Sequence, residues 1–429
     1  METNNEEKGK CPFGKDVQVP KVDFTNPEFI QNPFPVYAYM RERSPIKKVS
    51  FGNGQAFWMV TKYEDAIQIF RNPIFVKDIR KVTPQEGKES AMNSSMLFSH
   101  HLLNMDPPEH TKMKRLIQKA FTPKLVEKMR PQIQKMANDL IDVKVATANS
   151  MDIISEYALP LPISIISELL GIPSKDKELF RRWANIILNI DSNVSAEERM
   201  ALIPSAIQGF TEYLHQILDE RRKQPKEDLI TALLQAQEED ENLNEQELLS
   251  TIFLLFAAGY ETSVNLIGNG ILLLIENPSQ LDKLRQNPTL IHSAIEEMLR
   301  KDPPVLLASE RYPIEDTEIN GTLIPKGELV LICIGSANHD ECKFMEPDKF
   351  DIERKDNKHL SFGSGIHFCT GASLGKVEAE IAICTLLERF PHFSLAENTV
   401  LKFKMNSIMR GLEKLPIVFT TADHSVLEV

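Results

Sequence analysis

The sequence predicts a mainly α-helical single domain with a small β portion, and three features carry that prediction. Apolar residues recur at helical spacing over long stretches, the longest running unbroken from Asn244 to Ile275. Pairs such as Asn72-Pro73, Gln224-Pro225 and Asn277-Pro278 punctuate these stretches where a helix must stop. Alternating, β-like residues come only in short pieces, around positions 46–60, 311–323 and 393–420.

Composition sets the outer limits. The chain has 429 residues, 42% of them apolar, which is ample for one large core. Residues 1–20 form a polar segment expected to be flexible, and 21–429 form the domain. No apolar run near the N-terminus is long enough to span a bilayer. Forty-nine basic against 61 acidic residues give a net charge of −12, which disfavours nucleic acid as a partner. Five cysteines are scattered without C-x-x-C spacing, as expected of reduced thiols in the cytoplasm.

In chain order, Pro33-Phe34-Pro35 opens a short helix, 36–43. Ile46–Phe51 and Gln55–Val60 read as strands of a hairpin around Gly52-Asn53-Gly54. Tyr63–Phe70 is a short amphipathic helix. The stretch that follows, up to Met105, lacks periodicity, and a loop that long usually covers a binding site. Asp106-Pro-Pro-Glu-His110 starts a helix to Phe121, and Thr122-Pro123 caps the next, to about Val145. His110 and Lys114, four apart, share a face. From Met151 to Gln224 the pattern is helical, broken at Pro160, Pro162 and Gly171-Ile-Pro173, with the last two helices near 175–190 and 197–223. Another short helix covers 227–237.

The long run then begins at Asn244, with Glu247 placed for a capping box. Some thirty residues at 1.5 Å each make a rod of roughly 45 Å, enough to cross the domain. It is apolar nearly all round and so predicted to be buried. Its centre nevertheless reads Ala257-Ala-Gly-Tyr-Glu-Thr-Ser263. Gly259 costs about 1 kcal/mol against Ala in a helix interior, and a buried Glu261 needs a partner. Thr262 can bond the carbonyl of Ala258, loosening the helix. Unfavourable residues in mid-helix point to a functional site. Further on, Glu297-x-x-Arg300 sits on one helical face, and a helix follows Gly371 as far as Arg389.

That last helix is preceded by Phe362-Gly-Ser-Gly-Ile-His-Phe-Cys-Thr-Gly371. Gly363, Gly365 and Gly371 permit a close approach of the backbone to a flat object, and the helix start favours thiolate at Cys369. A thiolate held this way is a metal ligand or a nucleophile. The spacing Phe362-x-x-Gly365-x-His367-x-Cys369-x-Gly371 resembles the cysteine loop of the cytochrome P450 monooxygenases. The resemblance extends over the chain beyond about residue 20, with the helix centre, Glu-x-x-Arg and cysteine loop in order.

Several roles follow from the resemblance. Cys369 is the axial ligand of the iron of haem b, in a loop that includes Phe362, Gly363 and Gly371. His110, Lys114, Arg311 and His367 hold the haem propionates. Ala258 and Gly259 leave room over the haem face, and Glu261 with Thr262 is the acid–alcohol pair that relays protons. Glu297 and Arg300 form a structural ion pair, completed from the segment before the cysteine loop by either Lys349 or Arg354. Phe98, Leu103, Leu254, Leu307, Ile408 and Met409 line an apolar substrate pocket.

The implied activity is oxygen insertion from O2 into a small apolar substrate by a cytoplasmic monomer. Neither Gly52-Asn-Gly54 nor Gly268-Asn-Gly270 has the strand–turn–helix context of a dinucleotide site. Electrons must therefore come from a separate ferredoxin or flavodoxin with its NAD(P)H-dependent reductase. Two other classes compete: a peroxide-driven or non-oxygenating haem-thiolate enzyme, and a haem sensor or carrier without turnover. Glu261-Thr262 argues against both.

Overall fold

The computed structural model describes residues 23–51, 54–83, 101–188, 196–239 and 244–421. The segment 1–20, the turn residues Gly52 and Asn53, and Phe98 lie outside these residues. Helices α1 (Pro27–Gln31) and α2 (Phe34–Arg43) lead into strands β1 (Ile46–Ser50) and β2 (Ala56–Val60), antiparallel with Ile46 opposite Val60. After α3 (Tyr63–Arg71) and β3 (Phe75–Val76) come α4 (Glu109–Ala120) and α5 (Pro123–Val145). The Thr122 hydroxyl caps α5 by accepting from the Leu125 N–H at 3.1 Å.

Met151 and Asp152, read from sequence as the start of a helical stretch, belong instead to the strand β4 (Ser150–Asp152). The override is tertiary, because Met151 pairs with Ile417 far along the chain. One π turn (Ile154–Ala158) joins it to α6 (Pro160–Leu170), followed by α7 (Lys177–Leu188), α8 (Ala196–Lys223) and α9 (Leu229–Glu239).

The periodic run is α10 (Glu245–Glu276), started by the Asn244/Glu247 capping box. By length and composition α10 could cross a membrane, but 72% of its apolar window is buried inside the protein. It packs against α6 and the π turn and against the later helices α11 (Pro278–Gln286) and α12 (Ile291–Lys301). Its glycines are contact points. A Cβ on Gly259 would lie 2.8 Å from Ile166 of α6, and one on Gly268 2.5 Å from Ile154. Only a missing side chain lets neighbours come so near.

The β portion follows as β5 (Tyr312–Pro313), β6 (Thr317–Ile319), β7 (Thr322–Ile324) and β8 (Val330–Ile332), with β8 parallel to β2. A single turn, α13 (Ile334–Ala337), and the meander leading to the cysteine loop come next. Helix α14 (Ala372–Arg389) packs on both α5 and α10. Strands β9 (His392–Leu395) and β10 (Pro416–Thr420) close the chain, with β10 between β4 and β9. The expected strand character of 393–420 thus holds only at its ends.

The Glu297–Arg300 pair forms with both side chains fully buried, bidentate at 2.8 Å. Arg354 is the third partner, its Nε 3.0 Å from Glu297 Oε2, whereas Lys349 contributes only its carbonyl to Arg300 and Arg354. A carboxylate so placed cannot lose its cations cheaply. Arg354→Ala should therefore cost roughly 3–5 kcal/mol, the usual penalty for breaking a buried pair. The check is the urea unfolding midpoint. Lys349→Ala, which leaves the backbone carbonyl in place, should move it little.

Candidate active site

Helix α14 and the turn before it fix the position of Cys369. The Cys369 N–H donates to the Phe362 carbonyl at 3.0 Å and the Phe368 N–H to that of Gly365 at 3.1 Å, closing the loop on itself. Gly365 has φ +76°, and a Cβ there would stand 2.7 Å from the Phe70 carbonyl oxygen, so only glycine fits. Gly363 also takes positive φ, but Gly371 does not. Gly371 serves instead through its N–H, which with that of Ala372 is directed at the Cys369 sulfur.

Cys369 is surrounded by protein yet keeps exposed surface. Burial pushes its thiol up, opposed by the Gly371 N–H, the Lys114 ammonium and the Ala372 N–H. Lys114 donates to the carbonyl oxygens of Ile366 and Phe368, so its amine clamps the same loop.

Around the loop stands a cluster of basic groups from distant parts of the chain. The His110 and His367 rings are 4.1 Å apart. Both ring nitrogens of His110 and Nε2 of His367 are buried without a hydrogen-bond partner. Arg311 is buried beside β8, over the Phe70 ring at 4.8 Å, and Lys77, equally buried, donates to the Ser309 hydroxyl. Every one of these groups is pushed towards its neutral form. Burial, then Lys114, lowers His110 to about 4. Burial, then His110, lowers His367 to about 2. Burial takes Arg311 down to about 10, and Lys77 is lowered well below its usual range by burial and by Arg311.

Among the described residues no carboxylate forms an ion pair with His110, Lys114, Arg311, His367 or Lys77. Asp106 is close, but its oxygens accept from the backbone N–H groups of Lys77 and Asp78. A buried cationic cluster with orphaned ring nitrogens fits a ligand carrying anionic groups, such as the paired propionates of haem. Lys77 was not legible from sequence, because one lysine beside a two-residue strand carries no pattern.

On α10, Ala258 is exposed and Thr262 half-buried in a helix otherwise turned inward. Thr262 Oγ1 donates to the Ala258 carbonyl at 3.0 Å, as its position predicts. Gly259 faces Ile166, so its lack of a side chain is already used by helix packing. Glu261 is buried and pairs with Lys404 Nζ at 2.6 Å, a partner that sequence reasoning missed.

Of the apolar residues read as pocket lining, Leu307, Ile408 and Met409 come together: the N–H groups of Leu306 and Leu307 both bond the Ile408 carbonyl. Leu307 itself is buried and Ile408 exposed. Leu254 packs half-buried on the core, and Leu103 stands in the turn Leu102–Asn104 beside α4.

Comparison with known proteins gives concordant results. The Cytochrome P450 family model matches residues 31–419. Cytochrome P450 CYP107DY1 of Priestia megaterium is 40% identical over 409 residues, 92% of this chain and 98% of that protein. Vitamin D(3) 25-hydroxylase of Pseudonocardia autotrophica is 34% identical, over 92% of this chain and 96% of that one. The crystal structure of myxobacterial cytochrome P450 CYP267B1 in complex with myristic acid superposes with a TM-score of 0.86 at 37% identity. It covers 93% of this chain and 99% of its own.

The histidine pair has a consequence for stability. Both rings are held neutral in the fold but titrate near 6.5 once released, so below that pH the unfolded chain binds more protons. Their contribution is fully present above about 6.5; that of His110 is lost as the pH falls through about 4, and that of His367 goes on falling below it. Melting temperatures of the cofactor-free protein between pH 7 and 4 should show this loss, and His110→Asn should flatten it. Identical slopes for the two proteins would mean that His110 is not held neutral.

Proposed function

The chain belongs to the cytochrome P450 family and is a haem b-binding monooxygenase, and from that premise we propose that it hydroxylates a small apolar molecule. The observation that carries the proposal is the carboxylate–hydroxyl pair, Glu261 and Thr262, set in the middle of a core helix where neither residue favours folding. Electrons come from a separate ferredoxin or flavodoxin and its NAD(P)H-dependent reductase, in the cytoplasm. The apolar character of Leu254, Leu307, Ile408 and Met409 supports an apolar substrate. So do relatives named for vitamin D(3) hydroxylation and for a complex with myristic acid. A fatty acid, terpenoid, steroid or polyketide fits this description.

Cys369 is the residue that would hold the iron, as thiolate. The Gly371 and Ala372 N–H groups and the Lys114 ammonium favour that charge against the cost of burial. His110, His367, Arg311, Lys114 and Lys77 would hold the propionates, an arrangement that returns charge to groups that burial pushes towards neutrality. When bound, haem with a thiolate ligand supplies the oxidising chemistry, the sulfur donating electron density that favours O–O cleavage.

The chain's own part is to place substrate and move protons. Thr262 gives its hydroxyl hydrogen to the Ala258 carbonyl, so the lone pairs of Oγ1 stay free to accept a hydrogen bond. Glu261, adjacent in sequence, is the titratable group that brings protons to this point. Ala258, the exposed small residue one turn back, keeps the space in front of Thr262 open.

Two experiments test this reading. Cys369→Ser should abolish the strongly red-shifted absorption of the reduced carbon monoxide complex, and persistence of that band would remove Cys369 from the iron. Thr262→Ala should leave haem and substrate binding nearly intact. With purified redox partners, NADPH use should continue while product falls and peroxide rises. Glu261→Gln should instead slow NADPH use itself. Lower stability with unchanged coupling in Thr262→Ala would make the helix centre structural and favour a peroxide-driven or non-catalytic protein.

A further inference from the structure

Glu261 could not be buried as a carboxylate without a counter-charge. That charge comes from Lys404, in the irregular segment between β9 and β10, far away in sequence. The carboxylate side chain is 4% exposed and the lysine 19%, so the amine stands between the buried acid and solvent. The segment is seated on α10 with care. Glu261, Asn265 and Asn269 recur every four residues and make one polar stripe on an otherwise apolar helix.

Each member of the stripe meets the same segment. Glu261 pairs with Lys404. Asn265 lies against Gly411, where a Cβ would stand 1.9 Å from Asn265 Oδ1. Asn269 donates to the Arg410 carbonyl at 3.1 Å. The Lys404 N–H donates in turn to the Gly411 carbonyl at 2.9 Å, so the close approach at Gly411 fixes where the ammonium sits.

We propose that Lys404 is a positioning residue for proton delivery: its ammonium is the counter-charge that holds the buried Glu261 carboxylate in place, and it ties that carboxylate to the seating of residues 399–411. This rests on Glu261 carrying protons, as argued above. Other groups near Glu261 are neutral or already engaged. Thr262 and Asn265 bear no charge, and Asn265 has both side-chain polar atoms buried without a partner. The Tyr260 hydroxyl is bonded to Asn185 of α7 at 2.5 Å. Further along the stripe, Arg410 is bound to Asp302 at 2.5 Å. Lys404 is thus the charge in direct contact with Glu261.

Removing the ammonium reverses the balance, because burial alone favours the protonated acid. In Lys404→Met the buried Glu261 carboxyl loses its counter-charge and should take up a proton. Infrared difference spectra of the holoenzyme should gain a protonated-carboxyl band at neutral pH. That band should be missing from the wild type and from the Lys404→Met/Glu261→Gln double variant. The pH profile of NADPH consumption with purified redox partners should shift to higher pH in Lys404→Met. Lys404→Arg should restore the wild-type profile.

Gly411→Ala, which leaves the Lys404 charge itself intact, should push the segment off α10 and give a smaller shift in the same direction. A wild-type profile with no new carboxyl band in Lys404→Met overturns the proposal. If Glu261→Gln slows NADPH use but Lys404→Met leaves the profile unmoved, the role of Lys404 fails and that of Glu261 survives. If Glu261→Gln changes nothing, it is the reading of Glu261 itself that falls.

Discussion

Glu297 accepts hydrogen bonds from Arg300, Arg354, Asn357 and the Asp351 N–H while fully removed from water. A carboxylate in that position is tolerable only while every donor stays in place. The donors other than Arg300 belong to the meander that precedes the cysteine loop, so satisfying one buried charge fixes that meander on α12. The same helix continues the attachment: Glu296 accepts from Lys376 and pairs with His359, and the Leu299 carbonyl accepts from the Ser361 hydroxyl. Lys376 lies over the Phe362 ring at 5.2 Å. The loop carrying Cys369 therefore inherits its position from electrostatics outside it.

The site itself shows the opposite condition. The Glu297 cluster is a closed set of partners, whereas Lys77, His110, Arg311 and His367 are buried cations or would-be cations with few partners of their own. Their burial pushes each towards neutrality, and positive neighbours add to the effect at Lys77, His110 and His367. Such a cluster is unfavourable for folding and favourable for binding anionic groups, since the ligand supplies what the fold withholds. The same logic applies to Glu261 with the signs reversed, except that there the protein supplies the counter-charge from its own Lys404.

Helix α10 connects these conditions. It is apolar enough that its burial is assured, which leaves it able to carry a carboxylate, a back-bonded threonine and two buried asparagines near its centre. Its glycines receive side chains from α6 and the π turn. A helix with less apolar surface would be weakened by so many local exceptions. Here the surplus of packing on one set of faces tolerates them on another.

How much of this was legible in the sequence depended on the range of the forces involved. Local rules determined the helices, their caps at Thr122 and Asn244, the Thr262–Ala258 bond and the turn that presents Cys369. Each of these lies within a few residues, where backbone geometry and side-chain chemistry suffice. Spacing also carried the Glu297–Arg300 pair and the resemblance of the cysteine loop to a known family. What sequence could not decide were partners brought together from far apart. Arg354 rather than Lys349 at Glu297, Lys77 among the basic groups, Lys404 at Glu261 and the pairing of β4 with β10 all depend on how the chain closes. The physical reason is that a charge or a strand edge buried in one segment requires a partner without specifying which, and only the packed fold determines which candidate comes within reach.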